Sequence, residues 1–159
     1  MKRAGEAAKL IATYRIQHVV RAGDFFKIRG VASGRFDIDL ITEKGDNPLH
    51  MSFRYEDTDK NIVLNSFIKV FTKLEGDSEI RRKNPIKTGY PFELGIHIQE
   101  FDYVVTDGLG WAMRYDRRAH HKELAYVLVR GDVYLDDDIQ HVFEDDTVES
   151  DDVTATVDT

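Results

Sequence analysis

From Tyr14 onward the chain is interrupted about every ten residues by Gly, Asp or Asn, and the stretches between are rich in Val, Ile, Phe and Tyr. Such stretches are too short for ordinary helices, whereas β-branched and aromatic residues suit a pleated, half-buried surface. The runs read YRIQHVV, FFKIRGV, RFDIDLIT, LHMSFRY, NIVLNSFIKVF, FELGIHIQ, FDYVVT, WAMRYD, LAYVLVRG and DVYLD. Turn-forming groups separate them, among them Ala22-Gly23-Asp24, Ser33-Gly34, Asp57-Thr58-Asp59 and Thr106-Asp107-Gly108. Ten strand candidates in about 125 residues predict an all-β fold, either a sandwich or a barrel. Several runs alternate cleanly: Phe36, Ile38 and Leu40 share one face against Arg35, Asp37 and Asp39. Phe92, Leu94, Ile96 and Ile98 do the same against Glu93, His97 and Gln99. Strands of this type bury one side and wet the other, as packed sheets require.

Helical spacing occurs only at the start, where Ala4, Ala7, Ala8, Leu10 and Ile11 predict a short amphipathic helix. The expected organisation is therefore an N-terminal extension over 1–13, one β domain over 14–142 and an acidic tail over 143–159. The 159 residues suffice for one hydrophobic core. With 42% hydrophobic and 32% charged residues, the composition excludes a wholly disordered chain and a membrane-spanning bundle. No apolar run approaches the roughly 20 residues a spanning helix needs. The N-terminus has no apolar stretch of secretory-signal type, and cysteine and Asn-x-Ser/Thr sequons are absent. A cytosolic or nuclear address is expected on these grounds, with non-classical secretion left open.

The formal charge of −7 is concentrated at one end. From Asp136 to Thr159 there are only acids among the charged residues, while the remainder of the chain is slightly basic. The tail after Phe143 holds no aromatic and few apolar groups, so it cannot offset its ordering entropy and is expected to solvate rather than fold. Arg81-Arg82-Lys83 and the Arg114, Arg117, Arg118 group lack interleaved aromatics, so nucleic acid is not an expected partner. His120-His121 has no third ligand in register, and a metal site is not expected. Neither a nucleophile–base–orienter set nor a nucleotide-binding loop is present, so neither catalysis nor a cofactor is expected.

The stretch Leu49-His50-Met51-Ser52-Phe53-Arg54-Tyr55 is more informative. Its period of two sends Leu49, Met51, Phe53 and Tyr55 inward and lines up His50, Ser52 and Arg54 on the opposite face. Asn65 interrupts the otherwise apolar IVLNSFI, where an amide needs partners. Glu79-Ile80-Arg81 places an acid and a base on one face. Donors and acceptors spread over adjacent strands suit a hydroxyl-dense ligand, because a hydroxyl both donates and accepts.

The ordered series FFKIRG, RFDIDL, LHMSFR, IVLNSF, EIRR, PFELGI, FDYVVTDG, MRYDRR and LVRGDVYL resembles the galectins, covering about Tyr14 to Val142. The resemblance implies a jelly-roll β-sandwich of two antiparallel sheets and a lectin that binds β-galactoside-containing glycans. It further implies that His50 and Arg54 contact the galactose axial hydroxyl, that Asn65 and Glu79 hold its hydroxymethyl group, and that Arg81 assists at the second sugar. Two family positions depart. Ser52-Phe53 stands where the family has Asn-Pro, and Gly76 falls at the family's stacking Trp. That Trp contributes about 0.5–1.5 kcal/mol beyond area burial, so weak binding or a shifted specificity is expected. Trp111 belongs to a segment that supplies a core aromatic in the family. A second reading is a protein–protein interaction module on the same fold, with a protein partner in place of a glycan. Arg54 is expected between His50 and Glu79, fixed by the latter's carboxylate.

Family dimers form through terminal strands, which here carry Asp136, Asp137 and Asp138. Like charges facing their symmetry mates repel, so a monomer or weak homodimer is the expected outcome of sedimentation, and a tight dimer through that surface would contradict it.

Overall fold

The computed structural model describes residues 8–70, 73–75 and 79–144. Eleven strands and one short 3-10 turn, His121–Glu123, make up the described regular structure. The longest strand organises the rest: β2 (Phe25–Thr42) runs 18 residues and takes part in both layers of an antiparallel sandwich.

The second half of β2, residues 36–42, lies between β3 (Asn47–Phe53) and β10 (Leu124–Leu135). β1 (Leu10–Arg15) extends this layer beyond β10, and β4 (Asn61–Val70) extends it beyond β3. Two short strands, β5 (Lys73–Glu75) and β6 (Ile80–Lys83), share the far side of β4. The first half of β2 belongs to the other layer, with β7 (Pro91–Ile98), β8 (Asp102–Thr106) and β9 (Ala112–Asp116) in sequence on one side. On its other side lie the end of β10, with residues 133–135 against residues 30–32, and β11 (Gln140–Val142).

The alternation read from the sequence is what fills the space between the layers. Phe36, Ile38, Leu40, Leu49, Met51 and Phe53 from one layer, and Phe26, Leu94, Ile96, Ile98 and Tyr103 from the other, are all 0% exposed. Phe36 stacks on Phe53 beside it and on Phe92 of β7, with ring centroids 4.5 and 5.5 Å apart. Each large apolar side chain buried this way contributes about 1.5–3 kcal/mol.

The passage between layers falls where the sequence suggested a turn at Ser33-Gly34. No turn forms. Between the pairs Ala32–Val133 and Phe36–Gly131, three residues of β2 face only Asp132 of β10, and the resulting irregularity bends both strands without ending either. Gly131 has φ +107°, and a Cβ there would lie 2.5 Å from the Arg35 carbonyl oxygen and 2.7 Å from Phe36 Cα. Only glycine fits that approach.

Leu10 and Ile11, read with Ala4, Ala7 and Ala8 as a short helix, stand instead in β1, which pairs with β10. Residues 10–15 reach the open side of β10, where cross-strand bonding outweighs a helical tendency built mainly on Ala. Ala4 and Ala7 lie outside the described residues, as does the predicted tail from 145 on. The tail's first two residues, assigned to it by composition, are tied to the domain. Phe143 packs on His141 with ring centroids 4.1 Å apart, and the Glu144 amide donates to Asp24 Oδ1 at 3.1 Å. Among the described residues no helix is long and apolar enough to cross a membrane.

Gly131→Ala should lower the unfolding free energy by more than about 2 kcal/mol, measured by urea titration, because the clash is with backbone that cannot move without opening the corner.

Candidate functional site

The outer face of β3, β4 and β6 carries the polar residues singled out in the sequence, and the ladder register brings them together. His50 pairs with Asn65 and with Asp39 on its two sides, and Ser52 pairs with Val63, which in turn pairs with Arg81. Val63 has outward parity but is only 2% exposed, so this polar face is packed tightly around its methyl groups.

Arg54 follows β3. Its Nε donates to Ser52 Oγ at 3.2 Å and its Nη1 to Asp59 Oδ2 at 2.9 Å. Ser52 is wholly buried, so it meets the surface only through the guanidinium it supports. The expected Arg54–Glu79 pair does not form. Glu79 Oε2 instead accepts from Arg81 Nε at 2.6 Å, and Arg81 Nη1 reaches Asp59 Oδ2 at 3.4 Å. Asp59 is thus the hub: its other oxygen accepts from the Asn61 amide at 3.3 Å and from Asn61 Nδ2 at 3.1 Å. It is brought there by the tight Glu56–Asp59 turn between β3 and β4, whereas Glu79 precedes β6 on the far side of β4. The hydrogen bond from Arg54, with its charge, holds the Asp59 carboxyl below the usual carboxylate range.

His50 has a separate partner. Its Nδ1 lies 2.5 Å from Asp39 Oδ1, and Asn47 Nδ2 donates to the same oxygen at 2.8 Å. The Asp39 side chain is 6% exposed and that of His50 is 24% exposed. Burial alone pulls the imidazole pKa down, but the hydrogen bond and charge of Asp39, with Asp37 behind it, outweigh burial and leave it above the ordinary value of 6.5. With Nδ1 committed to Asp39, Nε2 is the nitrogen left to a ligand, as a donor when the ring is charged and an acceptor when it is neutral. Asn65 is 8% exposed, and its Oδ1 accepts from the Ser66 amide at 2.8 Å.

Five of the six residues read from the sequence therefore share one face, and Ser52 lies beneath it. Asp59 and Asp39 were missed as site residues. The signal for Asp39 lay in its outward parity on the neighbouring run, and Asp59 stood in a turn between two strands that both carry site residues. Gly76 lies outside the described residues. Trp111, the only tryptophan, is half-buried against the core beside β9, in the other layer. His120 caps the 3-10 turn by accepting from the Lys122 amide at 3.1 Å. Among the described residues no three His, Asp or Glu are grouped to hold a metal ion.

The fold and site define a two-layer antiparallel β-sandwich with ordered side-chain donors and acceptors across one layer's outer face. The chain belongs to the galactoside-binding lectin family, whose model, described as "Galactoside-binding lectin", matches residues 12–139. It is 31% identical over 108 residues to a 32 kDa beta-galactoside-binding lectin of Caenorhabditis elegans, an alignment covering 65% of this chain and 37% of that protein. The chain thus spans little more than a third of that relative. A Caenorhabditis elegans galectin structure superposes with TM-score 0.71 and 17% identity over 83% of this chain and 90% of the other. A toad ovary galectin in complex with thio-digalactose gives TM-score 0.68 and 17% identity over 85% and 99%. At such identities these two structures establish the shared jelly-roll sandwich.

NMR titration of His50 should give a midpoint above 6.5, and Asp39→Asn should lower it by leaving burial less opposed. The stabilising contribution of this pair is present below the unfolded-state pKa and is lost as pH rises through the folded-state pKa. A His50 midpoint unchanged in the Asp39 variant would refute the pairing.

Proposed function

We propose that the chain binds β-galactoside-containing or related glycans through His50, Arg54, Asn65, Glu79 and Arg81, weakly or with a specificity shifted from that of the family. The observation that carries this reading is the double anchoring of Arg54. With Nε on Ser52 and Nη1 on Asp59, the guanidinium holds one orientation before any ligand arrives, while Nη2 has no partner among the described residues. Side-chain ordering is thus settled in advance, which reduces the entropy lost on binding. Arg81 is oriented in the same way between Glu79 and Asp59. Two fixed cations flanked by carboxylate oxygens, with His50 Nε2 nearby, suit a ligand whose hydroxyls both donate and accept.

The weakness follows from the missing tryptophan. Trp111 stands in the other layer and cannot floor this face. Hydrogen bonds exchanged with water yield about 0.5–1.5 kcal/mol each, and little of that survives the loss of translational and rotational freedom on association.

Lactose titrated into the protein by NMR should bind with a millimolar or weaker constant, equivalent to about −4 kcal/mol. Arg54→Ala should abolish that binding while cooperative thermal unfolding persists. Micromolar lactose binding by the unmodified protein would refute the weak-binding part. If no glycan binds and a protein partner is lost on Arg54→Ala, the interaction-module reading replaces this one.

A further inference from the structure

Resting on the glycan reading above, we propose that Phe67 is a specificity-determining residue of this site: it forms the apolar wall against which a bound sugar lays its C–H face, toward β4. The ladder between β3 and β4 is irregular at this point. Asn47 pairs with Phe67 and His50 with Asn65, so Pro48 and Leu49 together face the single residue Ser66. Such a bulge re-aims the side chains beside it, and Pro48, which has no amide hydrogen to give, fits a break in the ladder.

Phe67 emerges on the same outer face as Asn65, half-buried. Its ring lies edge-on to the His50 imidazole, with centroids 5.7 Å apart and planes inclined at 62°. It also stands where β4 changes partners, since residues 61–64 pair with β6 and residues 68–70 with β5. A phenyl ring with no polar tip thus borders His50 directly and stands two residues along β4 from Asn65.

A pyranoside is amphipathic. When its 4-hydroxyl is axial, the C–H bonds at carbons 3, 4 and 5 gather on one face, which is costly to leave wet once the hydroxyls are engaged and which packs well on an aromatic ring. An equatorial 4-hydroxyl breaks up that patch. Phe67 therefore selects sugars with the axial arrangement, while His50, Arg54 and Glu79 take the hydroxyls.

The test uses the intact chain, with lactose, methyl β-galactoside and methyl β-glucoside as probes. Phe67 aromatic resonances should shift on adding lactose, and Phe67→Ala should weaken lactose binding roughly three- to tenfold with free-state amide shifts of distant core residues unchanged. Phe67→Trp should restore or strengthen binding, and the preference for methyl β-galactoside over methyl β-glucoside should shrink in the alanine variant. If the native chain binds lactose and Phe67→Ala binds it equally well, the wall is refuted and the glycan reading stands. If Phe67→Leu restores full affinity and the His50 midpoint together, Phe67 merely positions His50, which also refutes the wall. If the native chain binds no galactoside at all, the glycan reading fails and the wall with it.

Discussion

The double membership of β2 is the constraint on which everything else in the structure depends. Because one strand pairs with β7 in its first half and with β3 in its second, the registers of both layers are counted from the same backbone. A slip of one residue anywhere along it would turn Phe26, Ile28, Phe36, Ile38 and Leu40 out of the core together. The irregularity opposite Asp132 and the glycine at 131 let the strand change layers without losing that count. The polar face is a by-product of the same parity: with Ile38 and Leu40 inward, Asp37 and Asp39 must point outward, opposite Ser52 and His50.

The face is held by two acids that do different things. Asp59 gathers Arg54, Arg81 and Asn61 around one carboxylate. With the Arg54 and Asp59 side chains 20% and 22% exposed, the pair is partly buried, and what Asp59 supplies is the geometry of the two guanidiniums. Asp39 is nearly buried and meets His50 and Asn47 through one oxygen, so its charge acts at short range on the imidazole. Loss of the first would release two guanidiniums; loss of the second would weaken the histidine's hold on its proton.

Much of this was legible in the sequence, for identifiable reasons. Period-two alternation is strong where one face is buried, and it marks the strands containing Phe36, Leu49 and Leu94. The runs FFKIRGV and RFDIDLIT were separated at Ser33-Gly34 because a turn and a bent strand use the same small residues. β6 has no apolar pattern beyond Ile80, since its residues are held by β4 rather than by burial. β11 is three residues long and stabilised by a contact with Asp24, more than a hundred positions earlier, which no local pattern encodes. For the site, residue types and strand parity were readable, but the partner of Arg54 was not. A turn residue competes with every acid in reach, and only the fold decides that Asp59 is nearer than Glu79.

A second carboxylate–histidine pair differs from the first in its access to water. His141 Nε2 and Asp24 Oδ2 lie 2.9 Å apart with both side chains 2% exposed or less, between Phe26 and Phe143. Burial opposes the Asp24 charge, yet the amides of Arg21 and Glu144 and the imidazole together hold its carboxyl below the ordinary value. That pair fastens β11 and the start of the tail to the loop before β2, and its contribution is present above the unfolded carboxylate pKa and lost as pH falls through the folded one. Neither group can touch a solute, because both are sealed. The His50–Asp39 pair joins the same two kinds of group with about a quarter of the histidine side chain open to water, and His50 stands opposite Asn65 in the ladder. The difference between a sealed pair and an accessible one is thus the parity of one residue on β3, which places His50 outward where Leu49 and Met51 point in.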